Sequence, residues 1–409
     1  MTTIIAKNNN FARLDSVISE VLGISRAKSA RFIKSSNVWV NGNLILKPSV
    51  QISQGDRIEV KINLDEKNDT YCLDTQYLDE LILAKPELKQ ISILYEDSNM
   101  LIINKPPNLV IHQAPSLKEP TLQDWLKYKV KDFGISLNED LRFGIAHRLD
   151  RETSGALSIA KDFDTLTLLS SQLKSRQMGR IYLAIIEPPL KNAQILECFL
   201  GRNPKNRLKM TKIGKSTQHI ISQDSIQSFV KSTQNTNIIE SSSKGFIHLL
   251  NAVQQCNTTN PTKSIDGHNL HTDSVRYAKS AFLPLLHSHS HSMQLIAVKL
   301  FTGRTHQIRA QLESLGRHII GDSLYGFKPH TKAGKECNKF LQNTLFKHRI
   351  FLHAYLLYLC RPNDESGKMS LFKAQILGDM VEFLQTFFDL DGVNEALDIE
   401  YILRCFRAF

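Results

Sequence analysis

The sequence lacks paired cysteines, an apolar leader and long apolar runs. Its six cysteines are scattered over 409 residues without a CxxC pair, which disfavours zinc ribbons and thioredoxin-like redox motifs and leaves free thiols in a reducing compartment as the simplest account. The first residues, MTTIIAKNNNFARLD, contain no apolar core of a secretory signal. No uninterrupted apolar run reaches the roughly 18 residues of a spanning helix. We therefore expect a cytoplasmic protein with no membrane partner.

The charge balance points to a polyanionic partner. A length of 409 residues allows two or three domains with a substantial core, and 42% hydrophobic and 22% charged residues are ordinary for a globular protein. The formal net charge of +11 is not ordinary. It favours nucleic acid over an acidic membrane surface, with a solvated basic surface and no partner as the alternative.

The N-terminal residues 11–71 are predicted to form one small domain. Leu14, Ile18 and Leu22 have helical spacing, and Gly23 can end that helix in a left-handed conformation. A second helix is predicted from a Ser25 cap to Lys34. This second helix carries four basic residues that are candidates for RNA binding, namely Arg26, Lys28, Arg31 and Lys34.

A small sheet is predicted to follow the two helices. VWVNGNLIL places two β-rich runs around Asn41-Gly42, a strong hairpin signal, and QGDRIEVKI adds a turn and a strand. This order resembles the RNA-binding module named after small-subunit ribosomal protein S-four. The resemblance rests on Arg13-Leu14-Asp15, Ser25-Arg26, Val38 to Gly42 and Gly55-Asp56. It implies RNA binding, whereas a small α/β domain without RNA is the alternative. Ser36-Asn37 replaces the usual glycine, and Asn tolerates a left-handed turn.

The rest of the chain is predicted to hold one large α+β domain. Residues 72–92 are polar and acidic and are predicted to form a linker. Short strand-like runs recur through residues 93–375 without strict βαβ alternation, so we expect a mostly antiparallel mixed sheet rather than a Rossmann fold. A low-complexity insertion rich in Ser, Thr, Asn and Gln covers about residues 215–280. Residues 376–409 read as a C-terminal helical extension.

One stretch of the large domain suggests chemistry. HRLDRETSG, from His147 to Gly155, sets Asp150 between Arg148 and Arg151. The stretch resembles the signature of the RluA-type pseudouridine synthases. Further motifs of that family follow in order across residues 93–362, namely INKPPNLVIHQ, GRIYLAI, GRNPKNRLKM, TGRTHQIR, GDSLYG and LHA. With its N-terminal module the chain resembles the RluC and RluD subgroup, whose members modify large-subunit ribosomal RNA.

The resemblance implies isomerisation of specific uridines to pseudouridine without a cofactor or metal. It makes Asp150 the nucleophile, and cationic neighbours favour the ionised carboxylate. A helix cap or salt bridge is the alternative role for Asp150. Arg148 would enter the RNA helix in place of the flipped uridine, because a base must leave the stack to be modified. The alternative for Arg148 is a surface phosphate contact.

The resemblance also assigns the pocket. Tyr182 would pack on the uracil and is a proposed general base, with a core aromatic in a strand as the alternative. Arg309 would pair with Asp150, Arg304 being the second candidate for that pairing and a candidate RNA contact. Ile308 would line the apolar wall of the uracil pocket.

Three smaller features complete the sequence-based expectations. The family's usual lysine before the tyrosine is Arg180 here, which keeps the charge but changes its shape. For His306 in TGRTHQIR we favour a structural hydrogen bond over a proton shuttle. HSHSHS, from His287 to Ser292, reads as a solvated loop rather than a metal site.

Other activities stay open at this stage. Asp150 and Glu152 are too close in sequence to flank a sugar as a glycosidase pair does. A catalytically idle RNA-binding or ribosome-assembly protein on the same fold, and a hydrolytic glycosylase, are the alternatives. The sequence does not identify which uridines are modified, or whether the substrate is ribosomal RNA or transfer RNA. We expect a monomer.

Overall fold

The structure is a computed structural model, and the chain falls into two compact units. The structure describes residues 2–5, 12–21, 26–34, 38–60, 75–114, 117–129, 132–135, 139–232, 275–343, 349–362, 364, 369–407 and 409. The first unit comprises Met1–Ile103, Leu109–Arg148 and Leu157–Ser175, and the second comprises Asn104–Asn108, Leu149–Ala156 and Arg176–Phe409. The domain boundaries read from the sequence stay predictions.

The N-terminal part of the first unit has two helices and a small sheet. Its elements are β1 (Thr2–Ile5), β2 (Ala12–Arg13), α1 (Leu14–Val21), α2 (Arg26–Lys34), β3 (Val38–Val40), β4 (Asn43–Leu44), β5 (Gln51–Ile52) and β6 (Arg57–Val60). The sheet order β1-β6-β3-β4 is antiparallel throughout. Asn41 and Gly42 both have positive φ, as the predicted β3–β4 hairpin requires. Leu14 and Ile18 are buried on the core face of α1, whereas Leu22, Gly23 and Ser25 lie outside the described residues.

The remainder of the first unit alternates strands and helices. Its elements are α3 (Thr75–Ala84), a 3-10 helix (Pro86–Gln90), β7 (Ser92–Glu96), the start of β8 (Met100–Lys105), α4 (Leu122–Lys129), a 3-10 helix (Glu139–Gly144), most of β9 (Ser154–Ala160) and α5 (Phe163–Ser175). The predicted linker thus contains a helix, while residues 61–74 lie outside the described part of the chain.

The second unit is built on a large antiparallel sheet. Its elements after β9 are β10 (Gly179–Glu187), β11 (Ala193–Arg202), β12 (Met210–Ile221), α6 (Gln223–Ser232), β13 (Arg276–His287), β14 (Gln294–Leu300), α7 (Gln307–Ser314), β15 (His318–Ile319), a 3-10 helix (Ser323–Tyr325), α8 (Lys332–Gln342), β16 (Leu352–Cys360), β17 (Met369–Lys373), α9 (Gly378–Phe387), α10 (Leu390–Ala396) and α11 (Ile399–Arg407). The central order is β12-β11-β13-β14-β10-β16, with β17 on β16 and β15 on β10. The first residues of β9 pair with β16 in parallel. The predicted α+β class with a mostly antiparallel mixed sheet is confirmed.

The C-terminal helices share the core of this sheet. Ile181, Leu183 and Ile185 on β10 belong to the same buried cluster as Phe383 on α9 and Phe406 on α11. A fully buried Phe contributes about 1.5–3 kcal/mol through removal of apolar area from water. The helices after residue 376 are therefore integral to the folding of the unit.

Both ends of the predicted insertion have regular secondary structure. β12 runs to Ile221, α6 follows it, and β13 begins at Arg276. Residues 233–274, the middle of the insertion, lie outside the described residues. Of the helices that the structure describes, none has the length and apolar character to cross a bilayer. The described cysteines, Cys198, Cys337, Cys360 and Cys405, carry free thiols.

Candidate active site

The loop that carries Asp150 is anchored through its backbone. The N–H of Thr153 donates to the Asp150 carbonyl at 3.2 Å, which closes a turn. The buried ammonium of Lys105 donates to the Arg151 carbonyl at 3.1 Å. Arg349 approaches the Glu152 carbonyl at 3.5 Å and the Ser154 hydroxyl at 3.3 Å. Side chains from two distant parts of the chain thus fix the loop without touching the Asp150 carboxylate.

The backbone geometry at the end of the HRLDRETSG stretch requires a glycine at position 155. Its φ is +119°, and a Cβ built there would lie 2.3 Å from the carbonyl oxygen of Ala354. Gly155 pairs with Ala354 in the parallel register between β9 and β16. Only a residue without a Cβ allows this approach of the two strands.

Arg309 is the centre of a buried group of charges. It lies on α7 and is 3% exposed. Its Nε and Nη2 donate to the Asp322 carboxylate at 2.7 and 2.9 Å, and its Nη1 donates to Glu152 at 3.2 Å. Burial opposes the charged form, yet the hydrogen bonds to Asp322 and the nearby carboxylates raise the pKa of Arg309 above its ordinary value. The guanidinium is therefore a permanent positive charge.

Asp150 faces this guanidinium. Its Oδ2 lies 3.8 Å from Nη1 of Arg309, and its Oδ1 lies 4.0 Å from Nε2 of His306. The contact to Arg309 is an ion-pair distance, and both distances are longer than a hydrogen bond. The carboxylate is 15% exposed, so it is accessible and close to fixed positive charge. Of the two arginines that the sequence offered for this pairing, the structure places Arg309 beside Asp150.

Arg304 points elsewhere. It is exposed, and its Nε donates to the Tyr277 carbonyl at 3.0 Å. Partial desolvation of its guanidinium lowers the pKa of Arg304, and so do the positive charges of Arg276 and Arg176. Such a group of like charges attracts phosphate.

Tyr182 lies on β10 between Val298 of β14 and Ala354 of β16. Its ring is buried, with the guanidinium of Arg180 5.9 Å from the ring centroid. Burial raises the pKa of the Tyr182 phenol; the charge of Arg180 opposes this rise and that of Asp150 adds to it. The phenol therefore keeps its proton at neutral pH.

The remaining predicted residues are Ile308, Arg148 and the basic residues of α2. Ile308 is buried next to Arg309, and Arg148 is exposed in the first unit. On α2, Arg26 and Lys34 are exposed, and Arg26 approaches Asp15 at 3.4 Å. The side chains of Lys28 and Arg31 lie outside the described residues.

Sequence reasoning missed the supports of the site. Asp322 and Tyr325 belong to GDSLYG, which carried the family resemblance but received no role. Lys105 belongs to INKPP, and this lysine next to a proline pair was a usable signal. Arg349 has no such signal, because nothing near it in sequence suggests a buried charge.

The HSHSHS stretch follows the last buried part of β13. His287 ends β13, and the stretch closes a turn in which His291 has positive φ. Over the described residues no group of three or more His, Cys, Asp or Glu side chains converges in a way that would hold a metal ion.

The chain belongs to the RNA pseudouridylate synthase family. That family's model matches residues 99–314, and an S4 domain model matches residues 12–58. An RNA pseudouridine synthase of Helicobacter pylori strain J99 is 36% identical over 98% of this chain and 97% of its own length.

Two further relatives carry more specific names. A ribosomal large subunit pseudouridine synthase D of Buchnera aphidicola is 27% identical over 92% of this chain and 87% of its own length. One of Borreliella burgdorferi strain B31 has the same identity and the same coverage. The protein is accordingly an isomerase that acts on RNA, with an N-terminal S4 domain.

Proposed function

We propose that this protein converts specific uridines of large-subunit ribosomal RNA to pseudouridine with Asp150 as the nucleophile. The observation that carries the proposal is the placement of Asp150. It lies on an anchored loop, partly exposed, 3.8 Å from the buried guanidinium of Arg309. The names of the relatives, the S4 domain and the net charge of +11 support the choice of RNA.

The reaction balances within the uridine itself. The bond between ribose C1′ and uracil N1 breaks, a bond between C1′ and C5 forms, the C5 hydrogen leaves as a proton, and N1 gains a proton. A carboxylate can hold the ribose covalently at C1′ while the uracil turns, which splits one difficult step into two. Arg309 lies 3.8 Å from Asp150 Oδ2 and places positive charge beside the attacking carboxylate.

Tyr182 and Ile308 would hold the uracil. We assign Tyr182 to packing against the base, since its protonated, buried phenol is a poor base at neutral pH. Exposed Arg148 would fill the space that the flipped uridine leaves in the RNA helix.

The basic residues away from the loop would bind the RNA backbone. These are Arg26, Lys28, Arg31 and Lys34 on α2, and Arg304 beside Arg276 and Arg176. Phosphate contacts make affinity fall with salt, by a slope of about 0.9 per neutralised phosphate on a duplex. Replacement of Arg304 by Gln should therefore reduce the salt slope by about 1 and weaken binding uniformly across sequences. We infer a cytoplasmic location and a monomer, the latter open to analytical ultracentrifugation.

The test uses unmodified large-subunit ribosomal RNA, with transfer RNA as a second substrate. Pseudouridines are mapped by carbodiimide-stop sequencing after incubation with wild type, Asp150→Asn and the control Asp391→Asn. The exposed Asp391 lies in the first turn of α10 and should tolerate the change. Wild type and control should modify discrete sites in ribosomal RNA, while Asp150→Asn binds RNA and leaves it unmodified.

Three outcomes would contradict the proposal. Modification of transfer RNA alone would refute the substrate. Full activity of Asp150→Asn would refute the nucleophile. Release of free uracil, seen by chromatography, would show a hydrolytic glycosylase instead.

A further inference from the structure

His306 occupies an unusual place beside Asp150. It directly precedes α7 with φ 52° and ψ 26°, the left-handed region. A residue other than glycine persists in that conformation only where its surroundings impose it. Its ring stands edge-on to Tyr325, with centroids 5.6 Å apart at 81°. This conformation directs one ring nitrogen to Tyr325 and the other to Asp150.

The hydroxyl of Tyr325 determines which nitrogen carries the proton. Tyr325 is buried, and its oxygen accepts the backbone N–H of Met210 at 2.7 Å. Its own proton needs an acceptor, and Nδ1 of His306 lies 2.9 Å away. Burial raises the pKa of Tyr325 above its ordinary value, so the hydroxyl stays a donor. Nδ1 of His306 is therefore the acceptor.

Because Nδ1 accepts from Tyr325, the single proton of the neutral His306 ring is on Nε2. Burial lowers the pKa of His306, although the charge of Asp150 opposes the shift. With Nδ1 occupied by Tyr325, the Nε2–H points towards Oδ1 of Asp150 at 4.0 Å. The opposite tautomer would set a ring lone pair against a carboxylate oxygen. Hydrogen bonds in active sites without substrate are often long and shorten in the reacting complex.

We propose that His306 is a positioning residue that, as the Nε2–H tautomer fixed by Tyr325, orients the Asp150 carboxylate through Oδ1 while Arg309 attracts Oδ2. The proposal rests on the proposed function of Asp150. Tyr325 supports both partners, because the guanidinium of Arg309 lies 4.9 Å from its ring centroid. Shortening of both contacts in the reacting complex would leave one orientation of the carboxylate for attack.

The first test reads the ring proton without any activity. The full chain is labelled with ¹⁵N in its histidine rings, and the His306 signals are assigned by their loss in His306→Gln. Long-range ¹H–¹⁵N spectra above the titration range should show the Nε2–H tautomer in wild type. Tyr325→Phe should move the resonance of the unprotonated Nδ1, because that nitrogen loses its hydrogen bond. An Nδ1–H ring in wild type would overturn the proposal. The charged and titratable groups around the ring are Asp150, Glu152, Arg309, Asp322 and Tyr325.

The second test separates positioning from folding and RNA binding. Single-turnover rates and RNA dissociation constants are measured for His306→Ala, His306→Gln and His306→Asn. Loss of a hydrogen bond to a charged group should slow His306→Ala roughly 10- to 100-fold with unchanged RNA affinity. Gln places an N–H near the lost Nε2–H and should recover to within about threefold of wild type. Asn is too short to reach Asp150 and should resemble Ala.

The outcomes distinguish the two proposals. Equal rates for wild type and His306→Ala, or no advantage of Gln over Asn, would refute the positioning role. An inactive wild type would refute the proposed function, and the ring spectrum would still decide the tautomer.

Discussion

The ion pair between Arg349 and Asp379 allows a sharp test of how the loop that carries Asp150 is supported. Arg349 is 1% exposed, and its Nε donates to Asp379 at 2.5 Å. Asp379→Asn keeps the size of the side chain and removes the charge, which leaves a buried guanidinium without a counter-charge. Such a loss costs about 3–5 kcal/mol. Because Asp379 is 16% exposed and backbone carbonyls still accept from Arg349, we expect about 3 kcal/mol, near the lower end.

Thermal unfolding measures this cost. For a unit of roughly 250 residues, 3 kcal/mol corresponds to a fall in Tm of about 6–12 °C. Asp391→Asn, the same change at an exposed site of the neighbouring helix, should shift Tm by less than about 2 °C. Arg349→Met with Asp379→Leu removes both charges and should recover much of the loss. Equal Tm values for Asp379→Asn and Asp391→Asn, or a double variant no better than the single one, would refute the reasoning.

Three further predictions follow from backbone and burial. Gly155→Ala should unfold or strongly destabilise the protein in a denaturant titration, since its Cβ would meet Ala354, whereas Gly214→Ala, with φ +67° and open space, should cost about 1 kcal/mol. Burial lowers the pKa of Lys299 to about 7 from 10.5, so the unfolded state binds more protons between those values and stability rises with pH there; Lys299→Met should abolish that rise in urea titrations. Burial lowers the pKa of His353 to about 4 from 6.5, so stability falls as pH drops through that window, and His353→Asn should make the loss shallower.

Local patterns predicted the elements well. Asn41-Gly42 marked a hairpin, and the apolar runs marked β10 and β16, because turn chemistry and alternation depend on neighbours in sequence. The helix α3 within the predicted linker escaped notice, since its stretch TQYLDELILA was read with the polar residues before it. The predicted insertion also included residues 217–221, although backbone pairing with β11 makes them part of a strand. Such pairing depends on a distant partner.

The sequence likewise predicted some residues of the candidate site and not others. Motif resemblance predicted Asp150, Tyr182 and Arg309, and the structure places Arg309 beside Asp150. It did not predict that Asp322 would be the bidentate partner of Arg309. A charge pair between residues on different elements depends on how α7 and the following loop pack. No spacing rule in the sequence contains that information.

The contacts that support the loop of Asp150 also determine when the candidate site can form during synthesis. The loop is made early, yet its contacts to Arg309, Arg349 and the partner Asp379 wait for the second half of the chain. Contacts so distant in sequence form late in folding. A nascent chain can thus contain the whole S4 domain while Asp150 still lacks its buried partners. A message truncated before residue 379 would yield a chain that has the S4 domain and lacks the assembled site.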